Sequence, residues 1–383
     1  MNQSKLSIKY VTPVLISFFA MSFCDLVGIG VDNAKADFEL SNTLAQLIPL
    51  AVFAWFFILS VPVGILQDRI GKKNMLNIGM LFTSLGLFLP FVVYTFTSLL
   101  IGFAFLGIGN TIIQVSANPL LIDVVPSNRG SSFLSLSQFI KAIGSMIAPY
   151  LAAYFASHYG DWKLVLLVFG AISIASALWL HFSKIEESKN EGEKASLVSC
   201  LKLLGNGYIA LMVLGIFFLV GIDVGVNAFS GQFLMDHIRV DAEPAKLGRS
   251  LYFFGKMLGT FLGALLLLRI AARKFLIISA IVNLITILAF IWSPSQTIAL
   301  VLMFAIGLGA SNIFPLIFSI TIDKMPKRAN EISGLMIMAV SGGAFIPPLM
   351  GKVADYTSIL EALFVLVFCA IYLLVLSLYP SKK

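Results

Sequence analysis

The chain has 383 residues, of which 59% are hydrophobic and only 12% charged, and its mean hydropathy is +0.96. A soluble globular domain carries about a quarter charged residues, so this composition excludes a soluble fold. The formal net charge of +7 does not point to nucleic acid, because the cations sit at the ends of apolar segments and form no continuous basic stripe.

The 33 Phe residues lie in runs that are apolar all round, such as VFAWFFILS (52–60) and FAFLGIG (103–109). Lipid-facing helices have this pattern and sheets do not. At about 20 residues per crossing, the length accommodates about twelve transmembrane helices. The basic start, MNQSKLSIKY, has no small-residue cleavage site after the apolar segment that follows, so it opens an uncleaved first span. Spans 1 to 6 are expected at 10–33, 43–66, 75–95, 98–122, 131–157 and 162–183. The hydrophilic stretch KIEESKNEGEK (184–194) then reads as a solvated linker. Spans 7 to 12 follow at 207–233, 249–270, 274–293, 297–321, 331–354 and 358–379. The expected organisation is an N-terminal six-helix bundle (1–183), a linker (184–206) and a C-terminal six-helix bundle (207–383).

Counting Lys and Arg by side gives orientation. The termini and the 2–3, 4–5, 6–7, 8–9 and 10–11 loops hold eighteen cations, including Lys5, Arg69, Lys189, Lys194, Lys382 and Lys383; the other side holds six. Both termini are therefore expected in the cytoplasm, in a plasma (inner) membrane. Trp162 and Trp292 fall near outer ends, where indoles favour the interface. Cys24, Cys200 and Cys369 have no ligand spacing and read as buried thiols, with no metal site. His158, His181 and His237 fall at helix ends.

The halves repeat. Gly107-Ile-Gly109 and Asp123-Val-Val-Pro126 recur 200 positions later as Gly307-Leu-Gly309 and Asp323-Lys-Met-Pro326. Leu26-Val27-Gly28-Ile29 recurs as Leu219-Val220-Gly221-Ile222, and Ala148-Pro149 has an echo at Ile346-Pro347. Paired halves with a site between them are a transporter architecture.

After span 2 comes Gly64-Ile-Leu-Gln-Asp68-Arg69-Ile-Gly71-Lys72-Lys73. It resembles the signature loop of the major facilitator superfamily, G-x-x-x-D-R-x-G-[RK]-[RK], with an acid and bases at the cytoplasmic rim. The resemblance implies a gate at Gly64, Asp68, Arg69, Gly71 and Lys72. Gln114-Val-Ser-Ala-Asn118-Pro119, Leu136-Ser-Gln138-Phe-Ile-Lys141-Ala-Ile-Gly144, Phe314-Pro315-Leu-Ile-Phe-Ser319 and Ser333-Gly334 … Gly342-Gly343-Ala-Phe-Ile-Pro347 are similar to the fucose–glucose/galactose proton symporter family. That resemblance implies a monosaccharide substrate, coupling to a proton or sodium, and alternating access around a midplane site. The chain departs from the family pattern in several places. The usual span 1 Asn-Asp pair is missing around Val27-Gly28, with Asp25 and Asp32 nearby. Lys141 stands where Asn is usual, Thr260 where Arg is common and Asp223 where Glu is common.

An ionisable group at mid-span costs about 2.5–3.5 kcal/mol on insertion scales, so each needs a partner or a wet cavity. Asp25, Lys141, Asp223 and Lys256 lie well inside spans, and their formal charges cancel. The resemblance makes Asp25 the partner of Lys141, and Asp223 that of Lys256. Helical spacing aligns Asn110, Gln114 and Asn118 in span 4, and Gln138, Lys141 and Ser145 in span 5. It also aligns Asp223, Asn227 and Ser230 in span 7, and Tyr252, Lys256 and Thr260 in span 8. Amides both donate to and accept from hydroxyls, which suits a sugar. Gln114, Asn118, Gln138, Lys141, Asn227 and Lys256 are therefore the expected substrate contacts, and Asp25 and Asp223 the coupling acids. Asn110 and Ser145 are expected as interhelical glue. Pro119, Pro315 and Pro347-Pro348 are expected to kink their helices. An anionic sugar-acid cargo and drug efflux are the alternatives within transport; a receptor or lipid-handling role is the alternative outside it. No enzyme motif, cofactor or metal ligand set is recognisable, and a monomer is expected.

Overall fold

A computed structural model describes residues 8–40, 44, 47–185, 187, 196–239 and 242–379. Lys5, Lys189, Lys194, Lys382, Lys383 and most of the 184–194 stretch lie outside the described residues, as do the side chains of Asp32 and Pro149. The helices in order are α1 (Ile8–Met21), α2 (Val27–Asp37), α3 (Leu47–Ile70), α4 (Lys72–Val92), α5 (Phe96–Val124), α6 (Gly130–Tyr159), α7 (Leu164–Phe182) and α8 (Leu197–Leu204). They continue with α9 (Gly207–Asp236), α10 (Ala242–Leu266), α11 (Ala272–Ile291), α12 (Gln296–Ala310), α13 (Ile313–Lys324), α14 (Ala329–Met338), α15 (Gly342–Tyr356) and α16 (Ile359–Leu378).

Eleven helical segments among the described residues are long and apolar enough to cross a membrane. The remaining long helix, α10, has 25 residues, enough for a crossing. Its Arg249 and Lys256 lower its apolarity. It also starts seven residues before the expected span 8, because Pro244 suits a first helical turn, where no amide hydrogen is needed.

Three spans expected to be continuous are interrupted. Span 1 passes through a 3-10 turn, Ser22–Leu26, between α1 and α2. Span 10 breaks at Ser311-Asn312, between α12 and α13, because Pro315 has no N–H for the Ser311 carbonyl. Span 11 has a 3-10 turn at Ala339–Ser341, between α14 and α15, just before Gly342-Gly343. Adjacent glycines weaken the helix there. The helix runs on through Pro119 in α5 and through Pro347 and Pro348 in α15.

The chain divides into two compact units. Unit 1 comprises Met1–Phe133, Ile140–Lys202 and Met325–Met338, and unit 2 comprises Leu134–Phe139, Leu203–Lys324 and Ala339–Lys383. Within unit 1, α4 and α5 pack through small residues: Gly86 lies over the carbonyl of Gly102, and Gly79 over that of Gly109. Without a hydrophobic driving force between helices in lipid, such close backbone approach holds a bundle together. Within unit 2, α10 meets α12 in the same way, with Gly255 over the Phe304 carbonyl, and Asn312 in the break after α12 donates to the Gly259 carbonyl at 2.7 Å.

The repeat extends to contacts. Gly107 lies against the Val52 carbonyl and Gly307 against the Tyr252 carbonyl, while Gly109 meets Thr83 and Gly309 meets Asn283. Every residue in the second set stands 200 positions after its counterpart. Lys73 caps the end of α7 by donating to the carbonyls of His181 (2.9 Å) and Ser183 (2.7 Å). Arg273 caps the end of α16 through the carbonyls of Leu376 and Tyr379. Cations favour helix C-termini.

Trp162 corrects one expectation. It is buried, and its indole N–H donates to Asp37 at 3.2 Å, so it does not face an interface. Trp292 is 64% exposed. The three cysteines are free and buried.

Candidate functional site

In unit 1, Gly144 lets α6 approach span 1 closely, since a Cβ there would strike the Ser22 side chain. The next residue, Ser145, donates its hydroxyl to the Asp25 carboxylate. Asp25 sits in the 3-10 turn and is exposed. An exposed carboxylate in mid-span is tolerable only on a water-lined face. The expected Asp25–Lys141 ion pair is not formed: among the described residues no carboxylate lies within 4.0 Å of the Lys141 amine. The reason is geometric. The 3-10 turn rotates Asp25 away from the direction an unbroken α-helix gives it, and Ser145, one turn past Lys141, takes its place.

On α5, Asn110 donates to the Met21 carbonyl at 2.8 Å and accepts from Gln114 at 2.9 Å. Asn110 is therefore glue between α5 and α1. Gln114 is 7% exposed. Asn118 is fully enclosed and bonds back to the Gln114 carbonyl at 2.7 Å, while its side-chain oxygen has no partner among the described residues. The ladder spacing was informative, but its bonds are largely internal. Gln138 is half-buried and makes no side-chain hydrogen bond with the described residues. It lies in the Leu134–Phe139 stretch of unit 2, beside Phe139, whose ring meets that of Phe261 at 5.1 Å.

Unit 2 holds the expected second pair. The Lys256 amine donates to Asp223 Oδ2 at 2.5 Å, and the enclosed Tyr252 donates its hydroxyl to Asp223 Oδ1. The pair's side chains are 18% (Asp223) and 29% (Lys256) exposed. Asn227 bonds back to the Asp223 carbonyl at 2.6 Å, leaving its own side-chain oxygen buried without a partner among the described residues. Thr260 also bonds back along its helix, to the Lys256 and Met257 carbonyls.

The loop after span 2 is tied down on several sides within unit 1. Gly71 has φ +89°, where a side chain is strained. The Glu187 carboxylate accepts from the Lys72 and Lys73 amides at 2.6 and 2.9 Å, capping α4. The Lys72 amine, only 3% exposed, meets Asp123 at 2.6 Å. Arg69 is exposed. Asn330 of α14 donates to Asp68. A Cβ on Gly64 would lie 2.8 Å from the Asn330 backbone oxygen and 3.2 Å from the Gly334 Cα, so two glycines bring α3 and α14 together. Glu331 of α14 accepts from Arg328 and from Ser199 of α8. Burial pushes the neighbouring Cys200 thiol up to about 11, with the Glu331 carboxylate adding to the effect. Sequence reasoning missed Asp123, Glu187, Asn330 and Glu331 as partners. Only the repeated Asp-x-x-Pro carried any signal, for Asp123.

A polytopic helical bundle with duplicated halves, interrupted spans and mid-span charges is a solute carrier in construction. The match to the Major Facilitator Superfamily model spans residues 14–239 and 212–383, and the chain belongs to that family. It is 28% identical over 390 residues to the glucose/galactose transporter of Brucella abortus biovar 1 (strain 9-941), covering 97% of this chain and 94% of that one. It is 26% identical to the L-fucose-proton symporter of Escherichia coli (strain K12), covering 83% of this chain and 80% of that one. Among solved structures, the transporter FucP in the outward conformation matches with a TM-score of 0.86 at 20% identity, covering 97% and 99% of the two chains. At that identity the match speaks for the fold.

Proposed function

We propose that the chain takes up a monosaccharide together with a proton, by alternating access, across a bacterial inner membrane with both termini cytoplasmic. The observation that carries this is Asp25: an exposed carboxylate in an interrupted mid-span turn, held among the described residues by one hydroxyl and no cation. Names of relatives matched over 97% and 83% of the chain support a sugar cargo. The charge count by side supports the orientation.

Charged Asp25 needs water as well as Ser145. Protonation removes the charge, so the surrounding helices can close over it without stranding a bare carboxylate. Reopening to a more alkaline interior releases the proton. One proton moved inward at 100 mV supplies about 2.3 kcal/mol, enough for about fiftyfold accumulation. Gln138 and Lys141 offer donors not used up by the described residues, and Gln114, Asn118 and Asn227 retain side-chain oxygens as acceptors. The Asp223–Lys256–Tyr252 group is charge-balanced and acts as the polar element of unit 2, with the remaining Lys256 N–H groups free to donate to a ligand hydroxyl while one stays on Asp223. Asp68, Asn330 and the Gly64–Gly334 approach form the cytoplasmic gate. Asp25→Asn in proteoliposomes tests the coupling: sugar exchange should persist while accumulation driven by a pH gradient disappears. Full accumulation by Asp25→Asn overturns it.

One observation favours a second cargo. Lys141 has no carboxylate partner among the described residues, and a sugar acid would supply one. Competition of labelled hexose uptake by neutral sugars against uronates separates the two.

A further inference from the structure

Pro119 sits within α5, and its missing amide hydrogen leaves the Val115 carbonyl, four residues earlier, without the usual helical donor. Val115 is fully buried, so water cannot satisfy that oxygen. The Ser333 hydroxyl of α14 fills the vacancy, donating to the Val115 carbonyl at 2.6 Å, and Ser333 is itself fully buried. One helix turn earlier on the same segment, Asn330 meets Asp68, and the adjacent Gly334 packs on Ser60 and Gly64.

We infer that Ser333 is a positioning residue for transport. It seals the carbonyl that Pro119 exposes, and so favours the state in which α14 is docked on α3 and α5. This rests on the alternating-access reading, because a carrier must release α14 to open its cytoplasmic side. In the released state the Val115 carbonyl meets water and needs no serine. Removing the hydroxyl therefore penalises the docked state alone, since a buried acceptor left without a donor is costly. A second, independent consequence concerns Pro119. Replacing it with alanine restores the helical N–H donor to Val115, so the serine becomes dispensable.

The test places spin labels at two exposed positions, Asn74→Cys on α4 and Lys327→Cys just before α14, in full-length protein whose three native cysteines are replaced. Electron–electron distance measurements in lipid then give the ratio of long to short separations. Ser333→Ala should raise that ratio about fivefold or more. Ser333→Thr, which keeps the hydroxyl, should stay near the parent value. In a Pro119→Ala background, Ser333→Ala should change the ratio less than about twofold. The inference is overturned if Ser333→Ala leaves the ratio unchanged, or shifts it equally in both backgrounds. A parent protein that shows one separation under every pH and sugar condition defeats the alternating-access reading, and the inference with it. A parent with two separations and an inert Ser333→Ala defeats the inference alone.

Discussion

The Lys256 amine lies 2.5 Å from the Asp223 carboxylate, whose other oxygen is held by the enclosed Tyr252 hydroxyl. Two mid-span charges thus cancel inside one unit, and the cost of each alone in a membrane is offset by the other. The side chains remain 18% and 29% exposed, which places the pair between a surface bridge and a dry one. Lys256→Met or Asp223→Asn alone should cost about 1–3 kcal/mol of stability, and the double variant less than their sum. Unfolding midpoints in detergent for all four proteins check this.

Ser145→Ala removes the one side-chain donor that Asp25 has among the described residues. A charged carboxylate in mid-span without that donor depends on water alone. Uptake driven by an imposed pH gradient should therefore fall about fivefold or more in Ser145→Ala, and Ser145→Thr should restore it. Initial rates in proteoliposomes read the loss, and an unchanged rate in Ser145→Ala rules out this role for Ser145.

Gly71 adopts φ +89°, with the Glu187 carboxylate 3.1 Å from where a Cβ would stand. Gly71→Ala should cost about 1–2 kcal/mol from backbone strain. Glu187→Gln, which keeps the shape but weakens the α4 cap, should cost about 0.5–1 kcal/mol. Thermal melts in detergent should rank the variants in that order.

Burial, helped by Glu331, pushes the Cys200 thiol up to about 11 from 9.0. At pH 7.5 its thiolate should be about a hundredfold scarcer than that of an ordinary cysteine, and its alkylation slower to match. The sign for stability follows. The folded state holds this proton more tightly, so the contribution is complete below pH 9 and is lost as pH rises through about 11. Glu331→Gln should speed alkylation of Cys200 when Cys24 and Cys369 are replaced by serine. Iodoacetamide labelling followed by mass spectrometry measures it.

Much of the fold was legible because membrane spans announce themselves by length and apolarity, and the 200-residue offset reappears in contacts such as Gly107 on Val52 and Gly307 on Tyr252. The Asp223–Lys256 pair was legible through the family resemblance and helical spacing. Asp25 was not, because the resemblance that paired it with Lys141 carries no sign of the 3-10 turn the chain makes there. The Asn110–Gln114–Asn118 spacing showed a shared face but not that their donors would go to the Met21 carbonyl, the Asn110 side chain and the Gln114 carbonyl. Contacts such as Lys72 with Asp123, or Ser333 with Val115, join residues 51 and 218 positions apart. No local pattern encodes such pairings.

Uptake of labelled hexoses by purified protein in proteoliposomes, with an imposed inward proton gradient, tests the central claim most directly. The account predicts accumulation well above equilibrium, proton entry alongside the sugar, and collapse of both on adding a protonophore. Equilibration without accumulation, or accumulation that persists when the proton gradient is abolished, contradicts it.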